Sequence, residues 1–149
     1  MSELAPLETL CNGLLTQISA TERRKLARQI ATALRQSQAQ RIARQQDPDG
    51  SSFSPRKPQL RKKKGAIRRA MFAKMRTAKW LKIEATPDTA TVVFADAVQH
   101  MADVHQHGLR DKVNPRGLTA QFPARRLLGF SHADTDMVQD AVLAHLAAR

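Results

Sequence analysis

Apolar residues in the N-terminal third recur every three or four positions, the spacing of one helix face. Residues 4–18 follow this pattern and predict a short amphipathic helix. The next stretch begins with Ser19-Ala20-Thr21-Glu22, in which the serine and the glutamate side chains can bond free backbone N–H groups at a helix start. A long helix is therefore predicted over about residues 20–45. Its apolar stripe comprises Leu26, Ile30, Leu34 and Ile42, filled in by Ala27, Ala31 and Ala33, and its opposite face carries Arg23, Arg24, Arg28 and Arg35.

The pattern changes at Asp47-Pro48-Asp49-Gly50, whose residue types favour turns. Further prolines follow, so residues 47–60 are expected to form a long loop of the kind that often carries function. A helical pattern returns over residues 66–79. Residues 81–86 then alternate with a period of two and residues 90–95 resemble a second strand, which predicts an antiparallel hairpin.

The last third of the chain continues this mixture of helices and short strands. A helix is predicted from Asp96 or Ala97 to Gly108, because glycine commonly follows the last helical residue. A polar loop is predicted over residues 109–118, and short strands over 119–122 and 126–130. A serine with an aspartate three residues on predicts the start of a final helix. Its inward face comprises Met137, Val138, Ala141, Val142, His145 and Leu146.

The order of elements and the length define the expected architecture. Helix, helix, hairpin, helix, strand and helix indicate an α+β fold with a short antiparallel sheet. At 149 residues the chain suits one small domain, expected to span residues 1–149. Within it we distinguish an N-terminal helical part, residues 4–45, and a long basic loop, residues 47–65.

Charge is concentrated in the middle of the chain. The formal net charge is +12, and residues 50–83 contain twelve Lys or Arg residues but no Asp or Glu. A run of like charge is usually solvated or disordered. Here it alternates with apolar residues such as Met71, Phe72 and Trp80, so we expect an ordered segment that faces an anionic surface. Three interpretations stay open: nucleic-acid binding, docking on acidic protein surfaces, and a solvated face.

Candidate chemistry is sparse. His100, His105 and His107 lie near Asp103, but their spacing does not place a metal-ligand set on one helix face. Cys11 is the only cysteine and is expected to be a small core residue, which excludes an intrachain disulfide. No nucleophile elbow or phosphate-binding glycine loop occurs. We therefore expect a protein without catalytic activity, cofactor or metal, made without a secretory signal and not embedded in a membrane.

Several stretches taken in order resemble a known family. They are RRKLARQIATALRQSQAQRIARQQDPDGSSFSPRK at 23–57, RKKKGAIRRAMFAKMRTAKWLK at 61–82, VHQHGLRDKV at 104–113 and PARRLLGFSHAD at 123–134. Together they closely resemble the tail completion proteins of contractile-tailed bacteriophages, also called the phage virion morphogenesis family. The resemblance extends over nearly the whole chain, from about residue 5 to residue 147.

The resemblance implies a structural role in virion assembly. Members of this family finish the tail at its head-proximal end and make it competent to join a filled head. Related terminator and neck proteins form rings, usually hexameric. The implied partners are other copies of the chain, the tail tube protein and the neck or head-completion proteins, with non-specific contact to DNA in the channel. The implied location is the tail–neck junction of a virion assembled in the host cytoplasm.

A set of basic residues is predicted to form the interface. Most of residues 56–82 are expected to face protein partners or solvent, since a lumen lined by so many cations would hold DNA too tightly to let it slide. Arg125 and Arg126 lie beside Leu127, Leu128 and Phe130 in sequence. These three apolar residues are either part of an interface with the two arginines or core residues, and the core is favoured for at least two of them. The predicted interface comprises Arg56, Lys57, Arg61, Lys62, Lys63, Lys64, Arg68, Arg69, Arg125 and Arg126.

Overall fold

The structure is a computed structural model that describes residues 5–15, 18–56 and 70–148. In chain order its elements are α1 (Ala5–Leu15), α2 (Ala20–Ala43), β1 (Leu81–Ala85), β2 (Ala90–Phe94), α3 (Asp96–His107), β3 (Arg110–Lys112), β4 (Thr119–Gln121) and α4 (His132–Ala147). The strands form two separate antiparallel pairs, β1–β2 and β3–β4. These elements confirm the predicted α+β class. Among the described helices, none combines the length and apolar character that a membrane span requires.

Helix α2 is the central element and follows the predicted pattern closely. The Ser19 hydroxyl accepts a hydrogen bond from the backbone N–H of Glu22 at 3.2 Å, which satisfies one free donor at the helix start. Leu26, Leu34 and Ile42 are buried along the predicted stripe. The same face also buries Gln38 and Arg41, which the apolar pattern did not indicate.

The β1–β2 hairpin packs on α2 and confirms the second predicted element. Its register pairs Leu81 with Phe94, and both side chains are buried. Two arginines of α2 bind its backbone. Arg35 Nε donates to the Leu81 carbonyl at 2.8 Å, and Arg23 Nε donates to the Pro87 carbonyl at 3.2 Å. The predicted polar face of α2 is therefore divided between these contacts and solvent.

Helix α3 ends where predicted. Gly108 adopts a left-handed conformation with φ 64°, and its N–H donates to the Val104 carbonyl. A Cβ at this glycine would lie 3.0 Å from the backbone nitrogen of Ala124, so the position requires both the left-handed φ and the absence of a side chain. The predicted polar loop over 109–118 is shorter than expected, because Arg110–Lys112 forms β3 and pairs with β4.

The helix predicted over 66–79 is not formed in its described part. Residues 66–69 lie outside the description, and residues 71–80 form successive turns. Phe72 has a φ of 64°, which interrupts helical geometry. The backbone of Met71 is instead bonded by the Gln45 side chain, which donates to its carbonyl at 2.8 Å and accepts from its N–H at 3.2 Å. A tertiary contact thus replaces the local hydrogen bonds of a helix.

The strand predicted over 126–130 is also wrong. Side chains from two helices, not a neighbouring strand, bind the backbone of this segment. Gln106 accepts from the Leu128 N–H at 3.0 Å and donates to the Leu128 carbonyl at 2.9 Å. Gln38 accepts from the Gly129 N–H at 3.1 Å. The segment satisfies its backbone groups without sheet pairing.

The final helix and the core agree with the sequence pattern. The Ser131 hydroxyl accepts from the Asp134 N–H and the Asp134 carboxylate accepts from the Ser131 N–H, the reciprocal capping box. Of the predicted inward residues Val142 is buried, and the other five are half-buried. Cys11 was predicted to lie in the core, but its side chain lies outside the description. The core comprises Ile42, Phe53, Met75, Leu81, Phe94, Ala102 and Leu127.

Candidate partner-binding surface

A buried arginine at the end of α2 organises the segments around it. Arg41 is 4% exposed. Its guanidinium donates to the backbone carbonyls of Gln46 at 3.0 Å, Arg126 at 3.0 Å and Leu127 at 2.9 Å, and to the Gln38 side chain. Burial lowers its pKa, yet a guanidinium stays protonated. Arg41 therefore acts as a structural cation that joins α2 to two irregular segments.

An aspartate at the start of α4 completes this network. Asp134 accepts from Ser37 Oγ, from Gln38 Nε2 at 3.2 Å and from the Ser131 N–H at 3.0 Å. Burial by itself would raise the pKa of Asp134. The hydrogen bonds from Ser37, Ser131 and Gln38 outweigh it, so the pKa lies below its usual value. The carboxylate is held in its ionised form and fixes α4 against α2.

The start of the predicted long loop is a tight turn. The Gly50 N–H donates to the Asp47 carbonyl at 2.9 Å, and the Asp47 N–H donates to the Ser51 carbonyl at 2.8 Å. Asp47 also accepts from the backbone N–H of Arg126 at 2.8 Å. Phe53 then enters the core at 6% exposure. Residues 47–53 are thus ordered by turn chemistry, as the aspartates and glycine indicated.

Arg125 lies inside the protomer. It is 4% exposed. Its Nε donates to the Ser54 carbonyl at 2.7 Å and its Nη2 to the Pro55 carbonyl at 3.2 Å. Burial lowers the pKa of Arg125, and the charge of Arg56 lowers it further. Its side chain holds the loop that follows Phe53, so little of it remains for a partner.

The same arginine defines the protonation of a histidine on α3. Arg125 Nη1 lies 3.1 Å from His105 Nδ1. Because arginine only donates, Nδ1 must accept, and the imidazole is neutral. Burial lowers the pKa of His105, and the charge of Arg125 lowers it further. The ring also makes edge contacts with Phe72 and Phe122, with centroids 4.8 and 5.3 Å away. His105 therefore has a packing role.

The predicted interface residues are distributed unevenly. Arg56 and Arg126 are exposed, whereas Arg125 is buried. The other seven lie outside the described residues, and their interface role stays a prediction. They are Lys57, Arg61, Lys62, Lys63, Lys64, Arg68 and Arg69.

The apolar residues beside Arg125 and Arg126 divide as expected. Leu127 is fully buried, and Leu128 packs against the core. Phe130 is 68% exposed, the largest exposure among the large hydrophobic side chains of the described residues. The core interpretation is thus confirmed for two of the three, and Phe130 is left as an exposed aromatic side chain.

A groove lies near these residues. It has a volume of about 740 Å³ and lies between α3, the turns of 70–80, β4 and the segment that follows it. Its wall is largely apolar and includes Met71, Met75, Trp80, Met101 and Phe122. Protein ligand sites of this size usually combine an apolar wall with a few polar groups. Methionine side chains adapt to differently shaped partners.

No described group of three or more His, Cys, Asp or Glu side chains is placed to hold a metal ion. His100, one of the histidines considered from the sequence, instead lies 3.1 Å from Asp111, a carboxylate of β3. A hydrogen bond from the Lys112 backbone lowers the pKa of Asp111, and the contact with His100 adds to it. His100 and His105 thus serve two different local contacts.

Comparison with known proteins identifies the family of the chain. The model of the phage virion morphogenesis family matches residues 2–147. The chain therefore belongs to the phage virion morphogenesis family. It is similar to tail completion protein S of Escherichia phage P2, with 40% identity over 148 residues, covering 98% of this chain and 99% of that protein. No solved structure matches the chain.

Sequence reasoning missed the buried polar residues that build this region. Gln38 and Arg41 interrupt an otherwise apolar face of α2, at positions eight and eleven residues after Ile30. Helical periodicity places both on the buried side, next to Leu34 and Ile42. That placement was a usable signal, since a buried polar side chain requires partners.

Proposed function

We propose that this chain is a phage tail completion protein, a structural component of the virion tail that works by binding other virion proteins and catalyses no reaction. The observation that carries the proposal is the similarity to tail completion protein S of phage P2, 40% over almost the full length of both chains.

The proposed location is the head-proximal end of the tail, at the junction with the neck. There the protein ends growth of the tail tube and presents a surface to the neck and head-completion proteins. We propose that the protein forms a ring, most simply a hexamer. Each chain of such a ring offers two different surfaces and a contact with its neighbour that closes by rotation. Arg56, Arg126 and the basic residues of 57–69 are the proposed contacts to acidic partner surfaces.

Deletion of the gene from the phage genome that encodes it tests this role. We expect free heads and unjoined or abnormal-length tails by negative-stain microscopy, and loss of plaque-forming particles. Supplying the full-length chain in trans should restore both. Labelled antibody should mark one end of the restored tails. Normal infectious particles without the protein would contradict the proposal.

A charge-reversal pair tests the basic segment. Lys62, Lys63 and Lys64 changed to Glu should prevent rescue while the purified protein keeps its helical circular dichroism. The matched control reverses Arg24, Lys25 and Arg28, which are exposed on α2. Equal rescue by the two variants would show that the position of the charge does not matter and would remove 62–64 from the interface.

Direct nucleic-acid binding is the alternative that the net charge of +12 suggests. Arg41, Arg125 and Phe72 count against this alternative. The two arginines are bound inside the protomer, and Phe72 packs against His105. Binding to a duplex should be measured at about 50 and 200 mM salt, since phosphate contacts weaken steeply over that range. Micromolar or tighter binding that falls in this way would favour the alternative.

A further inference from the structure

The groove has a distinct charge pattern. Its charged lining residues are the exposed Arg56 and Lys74 and the buried Arg125, and the neutral His105 lines it as well. Neither Asp nor Glu is among its described lining residues. Its wall is otherwise largely apolar, and Met101 is 52% exposed. A phosphate backbone would gain little from the methionines. The fitting occupant is an apolar surface that carries carboxylates.

The outer face of α4 has the complementary pattern. Asp136, Asp140, Leu143 and Ala147 are exposed and follow one another at spacings of four, three and four residues. This spacing places them along one stripe of the helix. Leu143 is 50% exposed. Neither Asp136 nor Asp140 forms an ion pair within the described chain.

The two surfaces lie on different elements of the fold. The groove is formed around α3 and the turns of 70–80, whereas α4 packs on α2 and α1. A contact between them in two copies joins unlike surfaces, so each copy keeps one groove and one stripe available for the next. Such a heterologous contact propagates head to tail and closes into a ring when the rotation permits.

We propose that the groove of one copy receives the α4 stripe of a second copy. Leu143 of the second copy inserts among the apolar wall residues near Met101, and Asp140 approaches Lys74 at the rim. This inference rests on the proposed self-assembly and specifies its contact. It identifies the two surfaces that meet. The requirement for a ring alone does not identify them.

Two single-cysteine variants test the contact directly. Met101→Cys and Leu143→Cys are each made in a Cys11→Ala background. The two proteins are mixed under mild oxidation and analysed by non-reducing electrophoresis, both purified and co-incorporated in isolated tails. A covalent heterodimer should form in the mixture, either in solution or in the isolated tails. Neither variant should form a covalent dimer alone. The control replaces Met101→Cys with Thr91→Cys, exposed on β2 and outside both surfaces.

A charge exchange gives an independent measurement. Lys74→Glu and Asp140→Lys should each weaken self-association about fivefold, because one exposed attraction becomes a repulsion. Mixing the two variants places the introduced carboxylate of one copy opposite the introduced ammonium of the other at one of the contacts, and this should restore dimerisation. Sedimentation velocity provides the association constants.

The outcomes separate this inference from the proposed function. Absence of the mixed cross-link both in solution and in tails overturns the inference. Cross-linking of either variant alone also overturns it, because it indicates a symmetric contact. Either result leaves the deletion experiment unaffected: tails that still require the protein would then be completed through a different contact.

Discussion

Replacing Arg125 with alanine should destabilise the protein strongly although the residue lies in an irregular segment. The side chain is 4% exposed and donates to the carbonyls of Ser54 and Pro55 and to His105 Nδ1. Truncation leaves these acceptors without their donor. Water can reach part of the vacated space, because the site borders a groove, so the full loss of three charged hydrogen bonds is not expected.

The magnitude follows from these contacts. Hydrogen bonds to charged groups contribute about 1.5–3 kcal/mol each, and an unsatisfied buried acceptor costs about 1–3 kcal/mol. Removing the guanidinium also removes the free-energy cost of its desolvation, which offsets part of the loss. We therefore expect a loss of about 2–4 kcal/mol for Arg125→Ala. For a chain of this length such a loss corresponds to a fall in Tm of roughly 6–12 °C.

Urea unfolding followed by circular dichroism measures this loss. Arg126→Ala is the matched control, because the next residue exposes its side chain and uses only its backbone in the same region. That variant should change stability by no more than about 0.5 kcal/mol. Arg125→Lys should lie between the two, since an ammonium cannot reproduce the planar fork. If Arg125→Ala were as stable as Arg126→Ala, the assigned bonds would not exist in solution.

Three further predictions concern other buried or half-buried positions. Leu34→Asp should leave no cooperative unfolding transition, because it places an unpaired charge at a position only 6% exposed; a normal transition would contradict the packing of α2. The lowered pKa of His105 means that the unfolded chain binds its proton more tightly, so stability should fall as pH decreases below about 6.5, and His105→Gln should reduce that fall. An unchanged slope would exclude this histidine as a source. Asp134→Asn should cost about 1–2 kcal/mol at pH 7; since the pKa of Asp134 is lowered, this cost should disappear as pH falls below about 4, and a cost that persists in acid would assign it to packing.

The elements that could be predicted are those whose signals are local. The capping serine and the apolar stripe of α2 determine its start and its buried face. The alternating residues of 81–85 and the strand-like residues of 90–94 determine the hairpin. Gly108 ends α3 because a left-handed residue is needed there. Each depends on residues within a few positions of one another, so the pattern itself contains the information.

The elements that could not be predicted depend on distant side chains. The turns of 71–80 are bonded by Gln45, and the irregular segment after Arg125 is bonded by Gln38 and Gln106. These glutamines lie between 22 and 91 residues away in sequence from the groups that they bind. Local propensity favoured a helix and a strand at these places, and tertiary hydrogen bonds replaced both.

The candidate interface was also only partly predictable from local sequence. Composition predicted a cationic interface, but it did not distinguish exposed arginines from arginines that are buried in the protomer. The distinction depends on backbone carbonyls: those of Ser54 and Pro55 point at Arg125, and those of Gln46 and Leu127 point at Arg41. An irregular segment has many carbonyls without sheet or helix partners, and a buried guanidinium can satisfy several at once.

This use of arginine links the stability of the protomer to the proposed assembly. Pro55 and Arg56 line the groove, and the carbonyl of Pro55 is held by the buried Arg125. The wall of the groove and the packing of the loop are therefore formed by the same contacts. A mutation that releases the loop removes part of the wall that the α4 stripe of the next copy would contact. Arg125→Ala should accordingly reduce the cross-link between the Met101→Cys and Leu143→Cys variants at temperatures where the protein is still folded. Arg28→Ala, at an exposed position of α2 outside both surfaces, should not.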